Sequence, residues 1–370
     1  MADGIIAYSE LNNPNDAIED VLKQISIKGN PLLIIFSSPK APFKFYSERF
    51  SRAFPKAQVM GCTTYVSVSS KGSGRDGLTA WCITDGIECS SGVILEVTRH
   101  PMLYTPVIEK AVQALSGLDN TVGINFNTAG GNCEELVQDT FRSVLEPFGI
   151  QIAGGTAGAA TLDEKTLVSL NGEIYEEASV FVLIRNLTGK VFVYKENLFK
   201  PTKMIVTATD VDCEDRVVYE FDYMPAADAL ALILGVDKED LWETLLERPL
   251  GRKVGDEIYI TDLKNIGEDG SLQYFARIYN QTKVAILEPD VLENVCRKTA
   301  MEIKSVIAHP SMTFTINCYS RTLYLERHNL YSSFLNTLKN EYGQYAGMAG
   351  FGEQFNYEHF NASTVLVVFE

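Results

Sequence analysis

Short apolar runs alternate with segments of helical periodicity along most of the chain. Leu32 to Phe36 predicts a buried strand, and Phe43 to Phe54 predicts the helix that follows it. Val122 to Phe126 and Cys133 to Phe148 predict another strand and helix in the same order. Strands that alternate with helices are typical of an α/β protein, so we expect mixed sheets with flanking helices.

The same alternation continues to the last residue. In the first half, the further predicted elements are strands at Gln58 to Ser70, Leu78 to Thr84, Ile87 to Thr98, Ile150 to Ala153, Thr166 to Tyr175, Ser179 to Ile184 and Val191 to Tyr194, and a helix at Thr105 to Leu115. In the second half, they are strands at Met204 to Thr209, Arg216 to Phe221, Ile258 to Thr261, Tyr274 to Ile278, Lys283 to Leu287, Thr313 to Cys318, Tyr345 to Gly350 and Ser363 to Phe369, and helices at Ala226 to Leu234, Lys238 to Leu246, Val291 to Ile307 and Asn329 to Tyr342.

Two parts of the chain carry matching segments in the same order. The glycine-rich segment Ala153 to Gly158 is matched by Ala346 to Gly350, and the strand after each begins with Ala-Ser, at Ala178 and at Ala362. Such an ordered match favours an internal duplication over the general likeness of strand–helix–strand units. We therefore expect two related halves, residues 1–210 and 211–370, with the working centre around the two glycine-rich segments.

Composition narrows the class of partner. The chain has 48 acidic and 32 basic residues and a net charge of −16, which repels phosphate backbones and anionic lipid, so we expect neither nucleic acid nor a membrane as a partner. The N-terminus lacks the basic and apolar stretches of a signal peptide. The seven cysteines form no CxxC pair, and the histidines do not fall at zinc-ligand spacing. We expect a cytoplasmic protein with reduced thiols, no metal and no cofactor.

Gly72 to Gly77 matches the GxGxxG pattern of dinucleotide-binding loops. Such a loop holds a pyrophosphate only where a helix begins at its end and offers free amide groups. The residues that follow, Leu78 to Ile83, favour a strand. We therefore interpret the pattern as a hairpin turn and expect no dinucleotide site.

The loop from Asn127 to Asn132 carries two glycines and enters a predicted helix. Asn132 can cap this helix, and Glu135 completes a capping-box pattern three residues later. The glycines allow close backbone approach to a ligand, and free amides at a helix start favour an anion. An ordinary glycine-containing connection is the alternative interpretation.

Cys318 to Arg321 follows a predicted strand of the second half, where ligands of α/β folds usually bind. Arg321 offers a planar fork of donors suited to a carboxylate. Cys318 is a candidate nucleophile, but a small buried hydrophobe is the more frequent role of a thiol.

The segment Ala346 to Glu353 is the most distinctive of the chain. Its density of small residues indicates that another backbone or a ligand comes close. If Arg321 and Glu353 are both buried, each needs a partner, because an unpaired buried charge is costly. They either pair with each other or hold the two ends of a zwitterion such as an amino acid.

At these residues the chain resembles the FIST sensory domain. The similarity to the C-terminal part of that domain lies at Cys318 to Arg321, Gly350 to Glu353 and Asn361 to Thr364. The similarity to its N-terminal part lies at Gly61 to Thr63, Gly154 to Gly158 and Ser179 to Ile184. The resemblance extends from about Pro31 to the C-terminus, and Gly350 to Glu353 is its most specific element.

The resemblance implies a signal-input module that binds a small molecule, such as an amino acid or a related metabolite, and is not an enzyme. The candidate ligand-binding residues are Asn127, Gly154, Gly155, Thr156, Cys318, Arg321, Gly352, Glu353 and Asn361. Members of the family are often fused to output domains, whereas this sequence ends at Glu370 without one, so we expect a separate signalling protein as partner and leave a homo-oligomer open. A thiol-dependent hydrolase or transferase using Cys318 is the alternative function, and a purely structural scaffold is a third.

Overall fold

A computed structural model describes residues 2–255 and 257–370 of the chain. Within these residues the α-helices are α1 (Pro14–Ser26), α2 (Lys40–Ala53), α3 (Thr105–Gln113), α4 (Glu134–Leu145), α5 (Ala226–Leu234), α6 (Leu241–Glu247), α7 (Leu292–Val306), α8 (Tyr319–Arg327) and α9 (Tyr331–Tyr342). No helix of the described ranges has the length and apolar character needed to cross a membrane.

The strands fall into three groups along the chain. The first group is β1 (Asp3–Ser9), β2 (Leu33–Ser38), β3 (Gln58–Thr63), β4 (Val66–Ser69), β5 (Gly72–Gly74) and β6 (Leu78–Asp85). The second is β7 (Ile87–Leu95), β8 (Thr121–Asn127), β9 (Gln151–Thr156), β10 (Val168–Leu170), β11 (Glu173–Tyr175) and β12 (Ala178–Asn186). The third is β13 (Val191–Asn197), β14 (Phe199–Asp212), β15 (Val217–Phe221), β16 (Met224–Pro225), β17 (Leu250–Val254), β18 (Glu257–Thr261), β19 (Leu263–Ile266), β20 (Leu272–Tyr274), β21 (Lys283–Pro289), β22 (Met312–Cys318), β23 (Tyr345–Gly350), β24 (Glu353–Phe355), β25 (Glu358–Phe360) and β26 (Ser363–Phe369).

Three six-stranded sheets share one strand order. The orders are β1-β6-β2-β3-β10-β11, β7-β12-β8-β9-β24-β25 and β13-β26-β22-β23-β4-β5. In each sheet the third strand has a parallel neighbour on one side and an antiparallel neighbour on the other. The chain therefore contains three units of one topology, β1 to β6, β7 to β12, and β13 to β26.

Each unit contributes a hairpin to the sheet of another unit. β4 pairs with β23, β10 pairs with β3, and β24 pairs with β9. None of these three sheets is complete without a hairpin from another unit, so the exchange joins the three units into one body. Their inner faces share an apolar core to which the units contribute Ile35, Ile124 and Ile316, while helices cover the outer faces.

The third unit carries an inserted subdomain between β13 and α7. It consists of β14 to β21 with α5 and α6, and its sheet has the order β18-β17-β21-β14-β15-β20-β19, with β16 beside β15. Phe221, Leu230 and Tyr274 belong to a separate apolar core of this subdomain. The insertion is therefore a body of its own, which we call the inserted subdomain.

The expected α/β class with mixed sheets and flanking helices is confirmed. The likeness predicted between two parts of the chain is seen in the topology of the second and third units, and the first unit shares it. The internal duplication itself stays a prediction, as does the division after residue 210, which falls within β14. Gly72 to Gly74 form β5 and a strand follows at Leu78, in agreement with the hairpin interpretation of the GxGxxG pattern.

The pattern of apolar residues did not predict β1, α1 or α8. α1 has a clear start signal, because the side chain of Asn13 accepts hydrogen bonds from the amides of Asn15 and Asp16, and Pro14 takes the first helical position. α8 begins directly after Cys318, in the segment after the predicted strand where we expected candidate ligand residues and no helix.

Candidate functional site

The two glycine-rich segments lie against each other at the carboxyl ends of β9 and β23. The Phe351 amide donates to the carbonyl of Thr156 (3.0 Å), and the Gly158 amide donates to the carbonyl of Thr63 (2.9 Å). A β-carbon on Gly158 would lie only 2.6 Å from the carbonyl oxygen of Ala349. The small residues therefore allow backbones from all three units to approach one another.

Arg321 and Glu353 lie in different places and do not pair with each other. Arg321 is buried on α8, forms an ion pair with Glu196 of β13, and has its guanidinium 5.1 Å from the ring centre of Phe334. Glu353 accepts hydrogen bonds from the amide (3.2 Å) and the hydroxyl (2.7 Å) of Ser363. Arg321 therefore has a carboxylate partner within the protein, although its Nε and Nη1 have none among the described residues, and its contact with a ligand stays a prediction.

Glu353, Asp262 and Cys318 form a buried acidic cluster at the carboxyl end of β22. The thiol of Cys318 lies 3.8 Å from Oδ2 of Asp262. Burial raises the pKa of Glu353 to about 8 and that of Asp262 to about 6. Burial and the two carboxyl groups raise the pKa of the Cys318 thiol well above its ordinary value. Because the thiolate is the nucleophile, this setting disfavours a thiol-dependent enzyme.

A network of buried amides, which we call the His359 network, crosses the carboxyl ends of β8 and β9. The Asn125 side chain donates to the side-chain oxygens of Asn127 (3.1 Å) and Gln354 (3.5 Å). Gln354 Nε2 lies 3.3 Å from Oγ1 of Thr156 and 3.3 Å from Nδ1 of His359. None of these five residues is more than 5% exposed, so the network belongs to the interior.

Several polar atoms in and around this network lack a hydrogen-bond partner among the described residues. They are Oδ1 of Asn125, Nδ2 of Asn127, both amide atoms of Gln138, Nε of Arg216, Nε of Arg277 and Nε2 of His359. A buried polar atom without a partner costs about 1–3 kcal/mol. A bound molecule with both donors and acceptors is one way to satisfy such atoms, and others of the same kind lie elsewhere in the protein, at Arg321 and Glu353 among them.

Arg216 connects the inserted subdomain to α4. Its guanidinium lies 2.6 Å from the carboxylate of Glu134 and also pairs with Glu135, although the residue is only 3% exposed. Burial acts to raise the pKa of Glu134, but the Arg216 guanidinium, together with His359 and a backbone hydrogen bond, holds that pKa below its ordinary value. The two carboxylates also lie at the start of α4, where the helix dipole favours negative charge.

The capping box predicted at this helix is wrong. α4 begins at Glu134 with Cys133 as its N-cap, and no side chain caps it. Asn132 follows two glycines of positive φ and itself has φ +49, and its side chain donates to the carbonyl of Glu214 (3.2 Å). Because this left-handed turn directs Asn132 to the inserted subdomain, Glu135 pairs with Arg216 instead.

A cleft lies beside the His359 network, between the inserted subdomain, α4 and the β24–β25 hairpin. Its charged and aromatic lining residues are Glu135, Arg252, Tyr259, Arg277, Tyr279, Glu358 and His359. Its free volume is about 40 Å³, which is room for only a few water molecules. In this arrangement the cleft therefore has no room for a larger ligand.

The residues singled out from the sequence separate into three groups. Asn127 and Thr156 belong to the His359 network. Gly154 and Gly155 form part of β9, which ends at Thr156. Gly352, with φ +138°, packs against His359 and Asn361. Cys318 and Glu353 belong to the acidic cluster, and Arg321 lies apart from both.

Sequence reasoning missed His359, Gln354, Glu134 and Arg216. A weak signal was present for two of them, because Asn356 is a residue type that tolerates positive φ and can therefore mark a hairpin turn between Gln354 and His359. In the structure Asn356 and Tyr357 form this turn, with φ values of 48° and 69°. No comparable signal marks Arg216, since its contacts come from residues far away in the chain.

Comparison with known proteins assigns both parts of the chain to one family. Residues 31–224 match the FIST N domain, and residues 226–356 match the FIST C domain. The two matches cover nearly the whole chain. No curated protein gives a significant match.

Proposed function

The chain belongs to the FIST family of sensory signal-transduction domains, and from this we propose that it is a non-enzymatic sensor that binds a small polar metabolite, such as an amino acid, in the cleft beside His359. Two buried polar atoms that lack partners among the described residues and belong to residues lining the cleft, Nε of Arg277 and Nε2 of His359, are the observation that carries the proposal. A metabolite with acceptors would satisfy these two atoms and recover the free energy that they cost in the unbound protein.

The position of the cleft supports a signalling role. Glu135 and Arg216 belong to the part that matches the FIST N domain, whereas Arg252 and Arg277 belong to the part that matches the FIST C domain. A ligand in the cleft contacts both parts, so its affinity depends on how they pack. We propose that binding shifts the inserted subdomain and that a separate signalling protein in the cytoplasm reads this shift.

Thermal unfolding in the presence of single amino acids tests the proposal. A metabolite that binds should raise the melting temperature of the wild-type protein, because a ligand at a hundred times its Kd stabilises the folded state by about 2.7 kcal/mol. His359→Ala should remove this response, whereas His309→Ala, at an exposed histidine outside the cleft, should keep it. If no amino acid raises the melting temperature, or if His359→Ala responds like the wild type, the proposal fails.

A further inference from the structure

The charges of the cleft narrow the class of ligand. We propose that the cleft is an anion site, which recognises its ligand through a carboxylate and makes no ion pair with an ammonium group; this inference rests on the proposed sensory function. It distinguishes an organic acid, for which an amino group is unnecessary, from a ligand that must be a zwitterion.

Two arginines that line the cleft lack an ion-pair partner within the described ranges. The Arg252 guanidinium lies 4.9 Å from the ring centre of Tyr259 and 5.5 Å from that of Tyr279. Arg277 has a buried Nε without a partner. In a chain with 48 acidic and 32 basic residues, unpaired guanidinium groups in one cleft are unexpected, because carboxylates are in excess. A carboxylate is the partner that the planar guanidinium fork fits best.

The acidic residues of the same cleft already have partners. Glu135 pairs with Arg216 and accepts a hydrogen bond from the backbone amide of Arg277 (3.1 Å). Glu358 lies 2.6 Å from the guanidinium of Arg142. An ammonium group would therefore have to compete with a guanidinium for either carboxylate, whereas an anion meets two unpaired cations.

His359 adds a polar group that is compatible with an anion. It lines the cleft, is 5% exposed, and has its Nδ1 3.3 Å from Nε2 of Gln354. When Gln354 donates to Nδ1, the proton of a neutral imidazole resides on Nε2, which has no partner among the described residues. A neutral N–H donor beside two guanidinium groups favours a carboxylate and offers nothing to an ammonium group.

Three small probes of nearly equal size test the inference. Propionate carries only the carboxylate, alanine carries both charged groups, and alaninamide carries only the ammonium group. Binding to the full chain would be measured by thermal unfolding and isothermal titration calorimetry, with ionic strength held constant by chloride. We expect propionate and alanine to bind with Kd values within about threefold of each other, and alaninamide to bind at least tenfold more weakly, since tenfold corresponds to the loss of one modest charged contact.

Variants at the arginines connect this binding to the cleft. Arg277→Gln and Arg252→Gln should each weaken propionate binding at least tenfold, while Arg99→Gln, at an exposed arginine outside the cleft, should leave it unchanged. Arg252 is only half-buried, so its variant keeps the test available if Arg277→Gln does not fold. Wild-type affinity in both cleft variants would overturn the inference.

The outcomes separate the two proposals. If alaninamide binds as tightly as alanine and His359→Ala abolishes that binding, the anion inference is wrong and the sensory cleft stands. If none of the probes binds, the anion inference is wrong, and the amino-acid series on His359→Ala then decides the sensory proposal separately.

Discussion

Glu353 and Gln354 are adjacent on β24, yet they belong to two unlike polar clusters. Gln354 joins the neutral amides of the His359 network, beside the cleft. Glu353 lies in the acidic cluster with Asp262 and Cys318, all three of them buried. Successive side chains of a strand point to opposite faces, so one exchanged hairpin serves two sites.

The two clusters share their position in the fold but differ in the chemistry of their side chains. Both clusters lie at the carboxyl ends of parallel strands in units of the same topology, β8 and β9 in one case and β22 and β23 in the other. Neutral amides keep the same donors and acceptors at every pH, which suits them to contact a ligand. Buried carboxyl groups instead exchange protons, which makes the acidic cluster responsive to pH. The topology thus determines where polar residues gather, and the residue types determine what they do.

The largest expected effect is at Arg216, whose partner Glu134 accepts a hydrogen bond from Thr156 of the His359 network. Arg216→Ala would leave Glu134 and Glu135 buried without their cation, and removal of one partner of a buried ion pair costs about 3–5 kcal/mol. We expect a loss of this size in the free energy of unfolding, measured with urea. Arg327→Ala, which breaks an exposed pair with Glu243, should cost less than about 1 kcal/mol. Equal losses in the two variants would show that Arg216 does not hold the inserted subdomain to α4.

The sequence allowed good prediction of local structure and partial prediction of the site. Apolar runs located most strands and helices because burial imposes their periodicity. Asn127, Thr156 and Gly352 could be named as candidates because they lie in or beside glycine-rich segments, and the structure brings all three to the His359 network, while their contact with a ligand stays a prediction.

The features of the site that the sequence did not predict depend on contacts between residues far apart in the chain. Gln354 reaches Asn125 across 229 positions, and Arg321 reaches Glu196 across 125. The hairpin exchange creates such contacts, and no local pattern of residues indicates which sheet a hairpin joins. For the same reason the pair between Arg321 and Glu196 of β13 could not be predicted from the sequence, and a role of Arg321 in ligand binding stays a prediction.

The contact between the glycine-rich segments is expected to support both clusters. Gly158→Ala would bring a β-carbon to 2.6 Å from the Ala349 carbonyl oxygen and 2.8 Å from the Tyr65 amide nitrogen, and backbone atoms of this packed region cannot move aside easily. We expect a loss of about 3 kcal/mol in the free energy of unfolding. Gly74→Ala is the matched control, because its nearest contact is the Tyr8 hydroxyl at 3.1 Å, at the end of a side chain. A Gly158→Ala variant as stable as Gly74→Ala would show that this approach of backbones is not required.

The smallest expected effect is the change in the free energy of unfolding per pH unit that the acidic cluster causes. Burial raises the pKa of Glu353 from 4.5 to about 8, so the folded protein keeps a proton that the unfolded chain has lost. The contribution of this proton to the free energy of unfolding is fully present below about pH 4.5 and is lost as the pH rises to about 8. The expected loss within this window is about 1.4 kcal/mol per pH unit. Glu353→Gln, which cannot ionise, should remove this fall between pH 6.5 and 8, measured by urea unfolding at several pH values.

Asp262→Asn provides the matched control for that measurement. The pKa of Asp262 is raised only to about 6, so its own proton is lost below the window. Because the charge of Asp262 adds to the burial that raises the pKa of Glu353, the fall should move to lower pH in this variant but should not disappear as it does in Glu353→Gln. The pKa of His359 is lowered by burial, so its contribution changes below its ordinary value of 6.5 and leaves the window undisturbed. A wild-type stability that is flat across the window, or a slope unchanged in Glu353→Gln, would show that Glu353 is ionised in the folded protein. The two clusters would then differ in charge and no longer in their response to protons.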